Sequence, residues 1–216
     1  MKIFVDSADV NEIREAAALG LADGVTTNPS LIAKTGRPYA EVLREICAIV
    51  DGPVSASVAA TEAATMVEEG EKLARIHRNI VVKCPLIEEG LKATRALSKR
   101  GIKVNVTLVF SPMQALAAAK CGASYVSPFV GRLDDIGEDG IAMVESILRI
   151  VRNYEFPVQV LAASIRDMNH LLRVAEAGAA IATIPMPLIR QMIHHPLTEI
   201  GLEKFLADWR ASRQII

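Results

Sequence analysis

Aromatic residues are scarce in this chain: they make up 4% of its 216 residues, with a single tryptophan. An interior without large rings must be filled by Ala, Val, Ile and Leu. With 51% apolar residues the chain can bury one large core. An excess of one charge is also missing. The formal net charge is -1, which argues against a nucleic-acid groove or a surface made for anionic membranes. No apolar run approaches the length of a membrane span. The chain goes directly into Lys2-Ile3-Phe4-Val5-Asp6, which reads as a strand and not as a signal peptide. Cysteine is limited to Cys47, Cys84 and Cys121, odd in number and widely spaced. Neither a disulfide framework nor a zinc site is expected, and a reducing cytoplasm is the expected location.

Strand-like and helix-like segments alternate along the rest of the chain. Strands are expected at Lys2–Asp6, Gly24–Thr27, Val54–Val58, Ile80–Lys83, Lys103–Leu108, Tyr125–Val130, Val158–Ala162 and Ile181–Ile184. Amphipathic stretches lie between them, for example Val10, Ile13, Ala17 and Leu19, or Ile141, Val144, Ile147, Leu148 and Val151. Gly20, Gly101, Gly122 and Gly178 each stand where a helix would end. Eight such units predict an α/β fold, a single (β/α)8 barrel over residues 1–216. The rival is a doubly wound open sheet, which often has a glycine-rich loop after its first strand. Here that strand is followed by Asp6-Ser7-Ala8-Asp9, with no such loop. Past His195-Pro196 the segment 197–216 predicts a further apolar helix, with Ile200, Leu202, Phe205, Leu206 and Trp209, suited to covering a neighbouring subunit.

Lys83 closes the apolar run Ile80-Val81-Val82 and precedes Cys84-Pro85, where the proline is expected to stop the strand. An ammonium at the end of a buried strand is costly to desolvate unless it is paired or loses its proton. A lysine with a depressed pKa is a nucleophile for carbonyls. Alone, Lys83 could equally snorkel to solvent or pair with a carboxylate.

Other strands carry polar residues near their C-terminal ends, at the two-residue spacing that shares a face. These are Thr26 and Asn28, Ser55 and Ser57, Asn105 and Thr107, then Ser127 and Phe129, with Asp6 and Ser164 close to the ends of their own strands. Singly, each reads as a turn or cap residue: Asn28-Pro29-Ser30 as a turn, Ser164 or Asp167 as a helix cap. Jointly they converge on one mouth of a barrel, where barrel enzymes place their sites. A lysine, an aspartate, two asparagines and several hydroxyls suit a polyhydroxylated carbonyl substrate. Arg132 and Arg166 follow the sixth and seventh strands, and guanidinium forks bind phosphate. Their structural alternatives are ion pairs, Arg132 with Asp134 or Asp135 and Arg166 with Asp167. His194 and His195 are adjacent and diverge on a helix, so metal ligation is not expected there.

The motifs Phe4-Val5-Asp6-Ser7-Ala8, Gly24-Val25-Thr26-Thr27-Asn28-Pro29-Ser30, Val81-Val82-Lys83-Cys84-Pro85, Asn105-Val106-Thr107-Leu108-Val109-Phe110, Ser127-Pro128-Phe129-Val130-Gly131-Arg132 and Ala162-Ala163-Ser164-Ile165-Arg166 run in this order over nearly the whole chain. In this the chain resembles the small single-barrel transaldolases and the related fructose-6-phosphate aldolases, and it is closest to the transaldolase branch. The resemblance implies a Schiff base on Lys83 and proton transfer by Asp6, with no cofactor and no metal. It also implies sugar-phosphate substrates. Thr26, Asn28, Asn105, Ser127 and Phe129 would line the substrate site, and Arg132, Ser164 and Arg166 would hold the phosphate. A dihydroxyacetone unit would pass between sugar phosphates of the pentose phosphate pathway, and the chain would form a pentamer or decamer. At one place it departs from the pattern. Transaldolases carry glutamate in the third-strand motif Val-Ser-x-Glu-Val and the aldolases carry glutamine, where this chain has Ser57 in Val54-Ser55-Ala56-Ser57-Val58. In the family that group and the threonine matched by Thr107 hold a proton-relaying water. Serine is no base near neutral pH, so an impaired relay is an alternative, as is an aldolase that releases dihydroxyacetone. Phe129 sides with the transaldolases, since the aldolases tend to carry tyrosine there.

Overall fold

The computed structural model describes residues 1–212 and residue 214. Among these, the strands are β1 (Lys2–Asp6), β2 (Gly24–Thr26), β3 (Val54–Ser57), β4 (Ile80–Pro85), β5 (Val104–Val109), β6 (Tyr125–Pro128), β7 (Gln159–Ala162) and β8 (Ile181–Ile184). All pair in parallel with their sequence neighbours, and β8 returns to β1, so the sheet closes into a barrel. The outer helices are α1 (Val10–Ala18), α2 (Pro29–Thr35), α3 (Tyr39–Ile49), α4 (Ala63–Ala74), α5 (Glu88–Lys99), α6 (Pro112–Lys120), α7 (Val130–Asp134), α8 (Gly140–Asn153), α9 (Met168–Glu176) and α10 (Met186–Ile193). The fold is the expected (β/α)8 barrel with an added C-terminal helix, α11 (Pro196–Ser212). Arg213, Ile215 and Ile216 of the expected 197–216 extension lie outside the described residues. None of the described helices is long and apolar enough to cross a membrane.

The strand pattern produces two separate cores. Val5, Val25, Val54, Val82, Val106, Val126, Ala162 and Ala182 belong to the large buried cluster that also holds the helix residues Ile13, Leu43, Ile46, Leu97 and Ile147. The alternate residues Phe4, Val81, Tyr125, Leu161 and Ile181 form a second cluster that fills the barrel from within. Phe4 fits there because β2 starts with glycine: a Cβ on Gly24 would sit 2.5 Å from the Phe4 ring. The four glycines expected to end helices, Gly20, Gly101, Gly122 and Gly178, all have left-handed φ angles, between 72° and 89°.

Two residues beyond the apolar plug, four of its five inward positions turn polar: Phe4 gives way to Asp6, Val81 to Lys83, Tyr125 to Ser127 and Ile181 to Thr183, while Leu161 is followed by Ala163. The period-two rule thus sets a polar layer on an apolar floor.

Pro85 does not stop β4 as expected. The strand runs through Cys84 and Pro85, with Pro85 in register with Thr107. Val82 and Leu86 donate their N–H groups to Lys103 and Thr107 of the β5 side. In a parallel ladder the odd residues then face β3, which ends at Ser57, so the missing N–H of Pro85 costs little. β6 ends earlier than expected because Val130 and Gly131 turn to donate to Ala163 and Ser164, which starts α7.

Candidate active site

At the C-terminal ends of the strands a cavity of about 560 Å³ opens, lined by the polar layer. Its walls include Asp6, Thr26, Asn28, Ser57, Lys83, Asn105, Thr107, Ser127, Phe129, Arg132, Ser164 and Thr183. Lys83 reaches across from β4, and its Nζ donates to the carbonyl oxygen of Thr27. Burial holds its pKa down at about 8, against the opposing pull of the Asp6 carboxylate. Burial in turn raises the Asp6 pKa, while a hydrogen bond from Thr26 and the charge of Lys83 work in the other direction. The Thr26 hydroxyl donates to Asp6 Oδ1 at 2.8 Å and lies 2.6 Å from the Thr183 hydroxyl. Among the described residues that line the cavity, Asp6 is the one carboxylate.

A second chain of hydrogen bonds crosses the opposite wall. Ser127 Oγ donates to Asn105 Oδ1 at 2.7 Å, and Asn105 Nδ2 donates to Ser55 Oγ at 3.2 Å. All three residues are buried. Asn105 is in register with Lys83 on one side and with Tyr125 on the other, so it leaves its strand at the same height as Lys83. Ser57 is the register partner of Lys83 across the β3–β4 ladder. Its carbonyl accepts from the Tyr39 hydroxyl at 3.2 Å, which ties the end of β3 to α3.

The rim is made by backbone that is not regular strand. Leu108 in β5 has φ 61°, where the β5–β6 register shifts between Val106 and Val109. Ser164 has φ 59°. Both are non-glycine residues in a left-handed conformation and both line the cavity; such strain persists where surrounding structure enforces it and gathers at functional sites. Arg132 lies with its Cζ 5.0 Å from the centre of the Phe129 ring, which in turn tilts against Phe110 at 5.8 Å. Arg166 is exposed and pairs with Asp135 at 2.7 Å. Its stem crosses Gly131 so closely that a Cβ there would sit 2.5 Å from Arg166 Cγ and from the Ser164 carbonyl.

This barrel mouth belongs to a chain whose residues 3–215 match the model of the Transaldolase/Fructose-6-phosphate aldolase family. The chain belongs to that family. Relatives named "Probable transaldolase" agree over nearly full length. The one from Desulfatibacillum aliphaticivorans is 57% identical over 214 residues, 99% of this chain and 100% of its own. The one from Myxococcus xanthus is 59% identical over 210 residues, 97% of this chain and 94% of its own. The one from Geobacter sulfurreducens is 57% identical over 211 residues, 98% of this chain and 99% of its own. Among solved structures, the inosine 5'-monophosphate dehydrogenase of Legionella pneumophila superposes with a TM-score of 0.61 at 15% identity, over 86% of this chain and 58% of that one. At that identity the likeness concerns the barrel alone.

Within this family member, the residues named from sequence divide into two groups. Asp6, Thr26, Asn28, Ser57, Lys83, Asn105, Thr107, Ser127, Phe129, Arg132 and Ser164 all line the cavity. Arg166 does not; it stands outside the lining, held by Asp135. Asn28 serves two purposes at once. Its Oδ1 caps α2 by accepting from Leu31 N at 2.9 Å, while the residue also faces the cavity. Asp167 caps α9, its Oδ1 accepting from His170 N, and Arg166 pairs with Asp135 instead. His170 lies 3.0 Å from Asp134, linking the segment after β7 to α7. Three contributors carry no such sequence signal. Thr183 is a lone polar residue in an apolar strand, Tyr39 arrives from a helix, and Leu108 is marked only by its backbone angle. Cys84 adjoins Lys83 but belongs to the outer core, and burial pushes its thiol up to about 12, so it is no nucleophile.

Proposed function

We propose that this chain is a transaldolase that moves a dihydroxyacetone unit from sedoheptulose 7-phosphate, or fructose 6-phosphate, to an aldose phosphate of the pentose phosphate pathway, through a Schiff base on Lys83. One observation carries this reading: a half-buried lysine whose pKa is depressed to about 8 shares a polar cavity with one carboxylate among its described lining, Asp6.

The unprotonated Nζ attacks the ketose carbonyl. The carbinolamine loses water to give an iminium. Asp6 then removes the proton from the hydroxyl adjacent to the scissile bond. As that C–C bond breaks, its electron pair moves into the iminium, leaving an enamine on Lys83 and releasing an aldose phosphate. The enamine attacks the carbonyl of an acceptor aldose phosphate, Asp6 returns its proton to the new alkoxide, and water frees the product. The hydrogen-bonded Asn105–Ser127 pair, with Asn28 and Thr26, offers donors and acceptors for the substrate hydroxyls. Arg132 and Ser164 at the rim suit the phosphate, and Arg166 can join them by leaving Asp135. Thr107 can orient a water near Lys83. Ser57 can hydrogen-bond such a water but cannot act as its base near neutral pH.

Phe129 favours transfer over release of dihydroxyacetone, because a phenyl ring has no hydroxyl to hold a hydrolytic water. The three free cysteines suit a reducing cytoplasm. A ring-shaped homo-oligomer, pentamer or decamer, is supported by α11, which buries none of its described residues within the chain.

The test is product analysis with sedoheptulose 7-phosphate, with and without glyceraldehyde 3-phosphate. A transaldolase gives fructose 6-phosphate and erythrose 4-phosphate when the acceptor is present. Free dihydroxyacetone without acceptor at a comparable rate would assign the chain as an aldolase instead, and no turnover in either case would refute both readings.

A further inference from the structure

We propose that Thr183 is a positioning residue: with Thr26 it forms a two-hydroxyl chain inside the barrel that holds the carboxylate of Asp6 in its ionised, proton-accepting state. The inference rests on the reading of Asp6 as the general base and concerns a residue to which no role has been given above.

β1 lies between β8 and β2, with Phe4 in register with Thr183 on one side and Asp6 in register with Thr26 on the other. The two threonine hydroxyls meet 2.6 Å apart, and Thr26 Oγ1 is 2.8 Å from Asp6 Oδ1. Thr26 and Thr183 are both 4% exposed. A hydroxyl has one proton to give. An ionised Asp6 only accepts, so the Thr26 proton is committed to it. The 2.6 Å contact is then a hydrogen bond only if Thr183 donates to Thr26 Oγ1. Donation from Thr183 polarises the Thr26 hydroxyl and strengthens its bond to the carboxylate. When Asp6 has taken a proton from substrate, the chain can run in reverse: Asp6 O–H donates to Thr26 and Thr26 donates to Thr183. The reversed bonds join neutral groups and are weaker than donation to a carboxylate, so the pair follows the proton without a side chain having to move and still favours the ionised state.

Among the described residues, Thr26 is the side chain that hydrogen-bonds Asp6, and Thr183 the one that hydrogen-bonds the Thr26 hydroxyl. The charged residues that face Asp6 across the cavity are Lys83 from β4 and Arg132 from α7. The described lining from β2, β3, β5, β6, β7 and β8 carries hydroxyls, an amide and apolar groups. Thr183 is also the only polar residue of β8, where a valine would fill the same volume.

The experiment compares Thr183→Val, Thr183→Ala and Thr183→Ser with the parent. Two quantities are read: the pH profile of kcat/KM for transfer, and the titration of the Asp6 carboxyl carbon by NMR in aspartate-labelled protein, assigned with Asp6→Asn. Loss of the donating hydroxyl should move the Asp6 titration upward by a few tenths of a pH unit, roughly the 10–30% by which one hydrogen bond strengthens the next in a chain. The acidic limb of kcat/KM should follow it. Thr183→Ser should restore both. Thr183→Ala cannot overpack the barrel and is read in the same way if the valine variant does not fold. An unmoved Asp6 titration in a folded variant without the hydroxyl, or a serine variant shifted as far as the alanine one, overturns the proposal. If the titration moves and serine restores it while the rate profile stays fixed, the hydroxyl chain stands, and it is the assignment of Asp6 as the base that fails.

Discussion

The Nζ of Lys83 donates to the main-chain carbonyl of Thr27, so an amine from β4 reaches across the mouth to the end of β2. A carbonyl can accept from an ammonium or from a neutral amine. The contact therefore positions Lys83 without fixing its charge, whereas a carboxylate partner at that point would have held it protonated.

From this follows the most direct test of the chemistry. Borohydride reduction in the presence of fructose 6-phosphate should leave a stable adduct on Lys83, identified by peptide mass. Lys83→Ala should abolish turnover, by at least about four orders of magnitude, because a covalent step has no substitute nucleophile in the cavity. EDTA should leave the rate unchanged. An adduct on another lysine, or activity lost to chelator and restored by metal, would rule out the mechanism.

The depressed pKa gives a pH dependence whose sign can be worked out. With a pKa of about 8, roughly a tenth of Lys83 is already the free amine at pH 7, far more than for a lysine titrating near 10.4. The rate of imine formation should rise about tenfold per pH unit below that pKa and level off above it. The Asp6 carboxylate pulls the Lys83 pKa upward. Removing that charge in Asp6→Asn should move the midpoint to lower pH, even though C–C cleavage is lost. A stopped-flow profile of adduct formation measures this; a midpoint that rises in Asp6→Asn contradicts the electrostatic account.

The two arginines should separate in kinetics. Arg132→Ala removes a guanidinium from the cavity rim, so KM for a phosphorylated donor should increase about 10- to 100-fold, the scale of one charge-assisted contact, with little effect on unphosphorylated fructose. Arg166→Ala should act in the same direction but less strongly, since Arg166 must first give up Asp135. Equal losses on both sugars would show that the arginines serve the fold.

α11 exposes Leu197, Ile200, Leu202, Phe205, Leu206 and Trp209, and its outermost ring, Phe205, is 71% exposed. A second copy of the chain is the expected cover. Light scattering should report an oligomer, and Phe205→Glu should reduce its mass while leaving the barrel's circular dichroism intact. A monomeric parent would disprove it.

The barrel was legible in the sequence because parallel strands buried on both faces leave near-continuous apolar runs, and because the inward positions change from apolar to polar at a common height. Lys83, Asp6, Asn105 and Ser127 could be placed at one mouth for that reason. Contacts that depend on distant pairing could not. Tyr39 reaches the carbonyl of Ser57 from a helix 18 residues earlier in the chain. Thr183 becomes informative only once β8 closes on β1 and brings it to Thr26. Arg166 pairs with Asp135, 31 residues earlier in the chain, and not with its neighbour Asp167. The extension of β4 through Pro85 depends on β3 ending first.

Ser57 supplies the last prediction. It stands directly across the ladder from Lys83 and lines the same cavity, yet it brings a hydroxyl where the resemblance to transaldolases and aldolases implies a carboxylate or an amide. Imine formation and hydrolysis both move protons through the space beside Lys83, and Asp6 is the one carboxylate among the described residues lining it. Asp6 must then serve these steps as well as C–C cleavage, which makes proton relay the slow part of the cycle. Ser57→Glu should restore a second base and raise kcat by about one to three orders of magnitude, the range of general acid–base effects, with KM little changed. The parent should accumulate bound intermediate on Lys83 during turnover, and the variant should accumulate less. The new glutamate has room, because Ser57 is only half-buried and opens onto the cavity. Measuring kcat beside the steady-state adduct by mass spectrometry decides the matter. A folded Ser57→Glu enzyme that is no faster, with the same adduct level, would mean that Thr107 and Asp6 already supply the relay and that the third strand sets no limit on the rate.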